Sequence, residues 1–478
     1  MGNEAKIPPH PPLPKGGTER LPMVHDLSDR GSAWEWTAWS DVTWARMDTP
    51  NQPMVVTVML LLDAPLEPEQ FKAILRDRLL PFDRFRQRLV QRGVRYAWVE
   101  DATFDLHNHL EWRQLPKMGD ARTLEALIGE LASQPLDFNR PLWRCVAVDN
   151  AGAGGAVVFQ VHHCIADGIA LLRVFLTLAD RAPHPDEATV AQASSLEERR
   201  MQARLAAKTA KAPRPMLGWR ERWRWSMAFL ATLLRQPLLP PDTRTLLRGR
   251  LNGQKRMAWS ASIPLNKITG IRQRWGGRVN DVMLTATVGA LGRYLRARGE
   301  MRSGLKIRLA VPFNLRPYQE EIRLGNEFAV IFLSLPLDIA DPVARLKAVR
   351  ARMERVKASP EAVANRLLIK LVGRFPHWLE HGIMRLYGTK ATAVLTNVPG
   401  PEEKLYLAGS LIERGLGWVP QVTGIGIGFC VLSYAESITV GVATDSGVVD
   451  EPAELVAGFE AELAELASRM MADSAPTP

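Results

Sequence analysis

The stretch VVFQVHHCIADG, residues 157–168, decides how the rest of the chain is read. Its first half is β-branched and aromatic and follows the turn AGAGGA (151–156). That composition predicts a strand, paired as a hairpin with RPLWRCVAV (140–148). Beyond it, GIALLRVFLTLAD (168–180) carries apolar residues at helical spacing. His162 and His163 therefore stand at a strand end, just before a turn into a helix. Successive strand side chains face opposite ways, so the two rings do different jobs. One can face a cleft as a base while the other packs or hydrogen-bonds inward. Histidine suits a base because its ordinary pKa lies near neutrality. Other readings stay open for the same residues. Asp167 can serve as the N-cap of the following helix. Metal ligation by His162, His163 and Asp167 is disfavoured by the divergence of adjacent strand side chains. Cys164 has a histidine beside it, but adjacency in sequence is not pairing in space.

Working outward, strands and helices alternate on both sides. PMVVTVMLLL (53–62) reads as a strand, PEQFKAILRDRLL (68–80) as a helix, FDLHNHLEW (104–112) as a strand and ARTLEALIGELAS (121–133) as a helix. His107 and His109 would share a face of that strand, as a packed or surface pair rather than metal ligands. A second α/β pattern starts near residue 256. MAWSASIPL (257–265), KIRLAVPFNL (306–315), EFAVIFLSLPL (327–337), AVLTNVPGP (393–401), FCVLSY (429–434) and ITVGVAT (438–444) read as strands. NDVMLTATVGALGRYLRARG (280–299), the segment from Asp341 to Ala358, and AELVAGFEAELAELASRM (453–470) read as helices. GIGIG (424–428) lacks the GxGxxG spacing and the helix of a nucleotide loop. The expected organisation is a Pro-rich flexible arm (1–33), an α/β domain (34–183), a crossover (184–255) and a second α/β domain (256–478).

Composition narrows the function. Of 478 residues, 46% are hydrophobic and 23% charged, as in soluble globular chains. Three scattered cysteines exclude a disulfide scaffold and a four-thiolate zinc site, and suit a reducing cytosol. No apolar run approaches a membrane span, and the opening MGNEAKIPPHPPLPKGG lacks the apolar core of a secretory signal. The net charge of +10 is concentrated: residues 197–256 hold 15 Lys and Arg against four acids. Within them, GWRERWRWSMAFLATLLRQPLLPP places Trp219, Trp223 and Trp225 among arginines. That mixture fits an interfacial helix on anionic lipid, or a solvated basic helix with its tryptophans packed on the protein. No zinc-finger spacing or RNA-binding motif accompanies the charge, so nucleic acid is not expected.

HHxxxDG is the signature of the CoA-dependent acyltransferase superfamily, and further segments resemble its bacterial wax ester synthase/acyl-CoA:diacylglycerol acyltransferase family. They are SDVTWARMDTPNQPM (40–54), PFDRFRQRLV (81–90), PLW (141–143), ND (280–281), VPFNLRP with GN (311–317 and 325–326), TNVPGP (396–401) and the Ser433-Tyr434 strand. They stand in the family's order from about residue 35 to 470.

The resemblance implies two chloramphenicol-acetyltransferase-like domains with a tunnel between them. It implies transfer of a fatty acyl group from acyl-CoA to a long-chain alcohol or diacylglycerol, with no cofactor and no metal. His163 would be the general base and His162 its support. Asp167 would be structural and paired with Arg144, Arg84 or Arg86. Gly168 would allow a tight turn and leave room at the tunnel. Thr396, with Asn397 second, is the candidate donor to the oxyanion, although a turn set by Pro399 and Gly400 also explains that segment. Asn280 would contact substrate or cap its helix, and Pro141-Leu142-Trp143 would be core strand. Glu436 departs from the family, which commonly carries Gly there. The expected location is cytoplasmic, peripheral on the inner membrane face or on lipid inclusions. Alternatives are another hydroxyl acceptor, a polyketide or glycolipid, or a coat protein of lipid inclusions without turnover.

Overall fold

The computed structural model describes residues 34–93, 95–183, 219–314 and 322–472. The expected arm at 1–33 and the polar part of the crossover, 184–218, lie outside them. Seven strands form before the crossover: β1 (Trp34–Trp36), β2 (Val55–Leu62), β3 (Gln87–Arg92), β4 (Arg95–Glu100), β5 (Leu110–Gln114), β6 (Trp143–Asp149) and β7 (Gly155–His162). Nine follow it: β8 (Lys255–Trp259), β9 (Ile263–Pro264), β10 (Lys306–Asn314), β11 (Phe328–Pro336), β12 (Ala393–Pro399), β13 (Tyr406–Leu407), β14 (Ser410–Trp418), β15 (Ile427–Tyr434) and β16 (Ser437–Asp445).

The strands build two large sheets and a small one. The first large sheet runs β13-β14-β2-β7-β6-β5, and the second β11-β10-β12-β15-β16-β8, with β9 against β16. The small sheet is β1-β4-β3. The hairpin read from residues 140–164 is present as β6 and β7, with Trp143 opposite Val161. β14 lies antiparallel to β2, Leu416 opposite Met59. Residues 406–418 thus complete the N-terminal sheet, so a boundary at 256 does not separate the sheets. This exchange binds the halves by backbone hydrogen bonds, and β14 also packs against β15 and β16.

Why each sheet is stable follows from its pattern. β7 is buried at every position, as a central strand covered on both faces must be. Helix Gly168–Leu178 covers one face, with Ala170, Leu171, Val174 and Leu178 inward. The second sheet is covered by helices Val279–Ala297, Pro342–Lys357 and Pro452–Ala472, whose apolar residues join it in one core.

Three local departures have physical causes. The expected strand 104–112 opens as a short 3-10 turn, Leu106–Asn108, because the Asp105 carboxylate accepts the His107 N–H at 2.9 Å. His107 is left in solvent, whereas buried His109 bonds the Trp143 carbonyl at 2.8 Å, so the two do not form a pair. The helix beginning at Pro68 ends at Ile74 and widens into a π turn, Leu75–Leu79. Ala435 and Glu436 join β15 to β16 as a two-residue turn, both in the left-handed region at φ 46° and 61°. Such hairpin turns favour Gly or Asn at both positions, so Ala435 and Glu436 are held where L side chains are disfavoured.

The crossover reaches the second half as helix Trp219–Leu238, packed on helix Glu361–Val372. Its C-terminal end is pinned by the buried Lys390, whose ammonium donates to the carbonyls of Gln236 (3.0 Å) and Leu239 (2.8 Å). A cation is well placed there, where helix carbonyls lack partners.

Candidate active site

β7 delivers the two histidines, and β2 and β6 hold their backbone. The His163 N–H donates to the Met54 carbonyl at 2.7 Å and the His162 N–H to the Leu142 carbonyl at 2.9 Å. From there the rings part, as strand alternation requires. His162 turns into the N-terminal core, wholly buried. Its Nδ1 accepts the Cys164 N–H at 3.1 Å, and its Nε2 lies 3.1 Å from the Asp48 carboxylate. The ring therefore keeps its proton on Nε2 and locks the chain turn between residues 48 and 54, where Asp48 also accepts the Met54 N–H at 2.7 Å.

His163 turns the other way, onto the wall of a tunnel between the two sheets. Its ring stacks on Trp44 with centroids 4.0 Å apart and planes 14° apart, and Phe328 flanks it at 5.6 Å. Nδ1 lies 2.9 Å from the Asn326 side-chain oxygen. Burial disfavours the charged ring and lowers its pKa to about 4, against smaller opposing effects of the Asp167 carboxylate, the ring's own backbone carbonyl and Asn326. The His163 ring is therefore a neutral imidazole at physiological pH.

The cavity holds about 220 Å³. Val56, Leu172 and Phe175 line it from the first half, and Val330, Val394 and Leu432 from the second. A site so apolar, with few polar groups beside His163, suits long hydrocarbon chains. Thr396 and Asn397 lie on the same wall. Asn397 donates to the Asn280 side-chain oxygen at 3.3 Å, which connects the ND and TNVPGP segments. Asn280 is not the helix cap: the N-cap is Arg278, whose N–H is held by Asp281 at 2.8 Å. Gly400 donates its N–H to the Ser433 hydroxyl at 3.1 Å, and a Cβ at 400 would overlap the Ser433 carbonyl. The Pro-Gly turn therefore has a packing reason of its own.

Asp167 ties the two halves together through backbone groups. One oxygen caps helix Gly168–Leu178 through the Ala170 N–H (3.0 Å), and the other accepts the Glu327 N–H (3.1 Å) from the second half. None of the three arginines expected at Asp167 lies on it. Arg84 bonds the Asp41 carboxylate and the Ile165 carbonyl, Arg86 bonds Glu100 and Asp83, and Arg144 bonds Gln134 and the Leu131 carbonyl. The nearer acceptors take those guanidinium groups. Gly168 lines the tunnel, but its φ is not in the left-handed region, and a Cβ would meet Val398 at an ordinary 3.8 Å. Its smallness leaves space beside His163; the turn itself does not require it. Leu142 and Trp143 are buried core, Trp143 donating to the Phe85 carbonyl at 2.8 Å. Among the described residues, no group of three or more His, Cys, Asp or Glu is arranged to hold a metal ion.

The comparisons agree with this geometry. Residues 38–283 match the model of the wax ester synthase/diacylglycerol acyltransferase catalytic domain, and residues 324–467 match the family's C-terminal domain. The chain belongs to the wax ester synthase/diacylglycerol acyltransferase family. It is thus an acyl-CoA-dependent O-acyltransferase, of a family that forms wax ester or triacylglycerol. A probable diacylglycerol O-acyltransferase of Mycobacterium tuberculosis is 28% identical over 436 residues, covering 86% of this chain and 91% of that one. The wax ester synthase/diacylglycerol acyltransferase of Marinobacter aquaeolei VT8 shares the fold at a TM-score of 0.66 and 22% identity, over 91% of this chain and all of that one. The first condensation domain of the calcium-dependent antibiotic synthetase follows at a TM-score of 0.57 and 14% identity, over 94% and 98%. The two-domain α/β architecture implied by the motifs is the one observed.

Sequence reasoning missed the residues that hold the His163 ring, Trp44 and Asn326, and Asp41 behind them. Trp44 and Asp41 lie in the SDVTWARMDTPNQPM segment and Asn326 in GN, quoted as matches without roles. The crossover helix shows Trp223 63% exposed. The side chains of Trp219 and Trp225 lie outside the described residues.

Proposed function

We propose that the protein moves a fatty acyl group from acyl-CoA to a long-chain alcohol or diacylglycerol, with His163 as general base. The observation that carries this reading is a neutral imidazole, its Nδ1 already bonded, on the wall of an apolar tunnel shared by both halves. Nε2 takes the hydroxyl proton as the alcohol oxygen attacks the thioester carbonyl. The carbonyl oxygen becomes an oxyanion, met by the Thr396 hydroxyl and, second, by the Asn397 amide. The C–S bond then breaks, the ester carbonyl re-forms, and coenzyme A leaves as thiol with the proton returned by the imidazolium. No acyl-enzyme is needed. The cysteines are poor nucleophiles for one: all three are buried, and burial pushes the Cys430 thiol, on the tunnel wall, up to about 12.

Both substrates are lipids, and the protein meets them as a peripheral protein on an anionic membrane or a lipid inclusion, on the cytoplasmic side. Among the described residues, no helix is long and apolar enough to cross a membrane. Support comes from helix Trp219–Leu238, where Trp223, Met227, Leu230, Leu234 and Leu238 form one exposed stripe opposite the buried Gln236. Its pinned end adjoins Leu239, which packs with Ala310, Val330 and Val394 of the tunnel wall.

The acceptor is settled by thiol release from palmitoyl-CoA with purified protein and either hexadecanol or diolein. Release that depends on one of these supports the reading, and the faster acceptor separates wax ester from triacylglycerol synthesis. Failure with both, on folded protein, would sink it in favour of another hydroxyl acceptor.

A further inference from the structure

We infer that Asn326, supplied by the C-terminal half, fixes the tautomer of His163, so that the base is competent only when both halves are joined. The inference rests on His163 being the base and adds the residue that sets its proton. Asn326 is a positioning residue: it acts on substrate only through the imidazole.

The amide of Asn326 cannot be turned round. Its nitrogen has two hydrogens, and both are used: one goes to the Asp41 carboxylate at 3.0 Å, the other to the backbone carbonyl of His163 at 2.8 Å. Those partners accept and cannot donate. The amide oxygen is thereby the atom facing Nδ1 of His163, and since it only accepts, Nδ1 must carry the ring proton. The lone pair is then on Nε2, the nitrogen left for substrate. With the opposite tautomer, Nε2 would be a donor and could take no proton from an alcohol.

Two further contacts hold the amide. Asp41 also accepts the backbone N–H of Asn326 at 3.0 Å, and its other oxygen is held by Arg84 at 3.0 Å. The same Arg84 nitrogen donates to the Ile165 carbonyl at 2.7 Å, inside the HHxxxDG turn. The chain Arg84–Asp41–Asn326–His163 is buried throughout. Its third member arrives from the other half as a short plug. Gly325 exchanges backbone hydrogen bonds with Ile165 (2.9 Å) and Asp167 (3.1 Å), and Glu327 bonds the Asp167 side chain. Gly325 sits at φ 110°, and a Cβ there would crowd the Asp41 carboxylate at 3.2 Å. Only glycine brings the plug this close.

The test uses full-length protein labelled with 15N in its nine histidines, with the His163 signals assigned by their loss in His163→Ala. Two-bond 1H–15N spectra should show Nδ1 protonated and Nε2 bare in the wild type. In Asn326→Ala only the ring's own backbone carbonyl is left to accept from Nδ1, so the ring should shift from a single Nδ1–H tautomer to a mixture with the Nε2–H form. kcat should fall about 10²-fold there, while the KM for acyl-CoA stays within about twofold, as loss of a competent base requires. A wild type with its proton on Nε2 overturns the inference without any variant, which covers the case of an Ala variant that does not fold. An Asn326→Ala protein with unchanged tautomer and kcat overturns it as well. A wild type that shows Nδ1–H yet transfers no acyl group would instead count against the acyltransfer reading of the site.

Discussion

Replacing His163 with Ala is expected to lower acceptor-dependent thiol release by about 10³-fold, within the range for a lost general base. Among the described residues, neither His162 nor Asp167 is placed to substitute. His162 faces the N-terminal core, bonded at both nitrogens, and Asp167 spends both oxygens on backbone N–H groups. Truncation also leaves the Asn326 oxygen without its donor and removes the Trp44 stack, at a stability cost of about 1–3 kcal/mol. The loss should therefore be read from kcat at a temperature well below the variant's melting transition. Folded protein retaining more than a tenth of wild-type kcat would show that the proton goes elsewhere.

The second large effect is expected in lipid binding. Trp223, Leu234 and Leu238 are 63%, 62% and 81% exposed, on the helix face turned away from the body. Fully burying one such side chain is worth about 1.5–3 kcal/mol, so partial insertion of three amounts to roughly 3 kcal/mol. Replacing all three with Ser should lower partitioning onto anionic vesicles by at least about 10²-fold. Folding is not at stake, because helix packing uses the opposite face and the end is held by Lys390. Flotation with phosphatidylglycerol vesicles reads the effect directly. Unchanged flotation would reassign the stripe to a protein partner. Trp378, 74% exposed at the start of helix His377–Gly388, provides an independent comparison site.

Much of this was legible in the sequence because it is local. Strand alternation placed β2, β6, β7, β10, β11 and β16, and the HHxxxDG turn placed His162 and His163 at the end of β7. The divergence of His162 and His163 follows from the period of a strand alone. What stayed hidden is non-local. Nothing near Asn326 shows that it lies beside a histidine 163 positions earlier. Nothing in β14 marks it as a strand of the other half's sheet. Arginine partners were misread for the same reason, since Arg84 finds Asp41, not Asp167, once the chain folds. Helices Glu361–Val372 and His377–Gly388 are absent from the sequence reading although their apolar residues recur at helical spacing at least as clearly as in Pro342–Lys357. The metal-pair reading of His107 and His109 was avoided, but their shared strand face was wrong; a single Asx turn at Asp105 undid it.

The pH dependence of kcat/KM for acyl transfer tests the buried neutral base most directly. Burial lowers the His163 pKa to about 4, so the active neutral form is fully present above that value and is lost as pH falls through it. The expected profile, measured with palmitoyl-CoA and the better acceptor, is level from pH 8 down to about 5, then falls in a single-proton limb centred near 4. A limb centred near 6.5, the ordinary histidine value, would mean a solvent-exposed or different base and would contradict the assignment of His163.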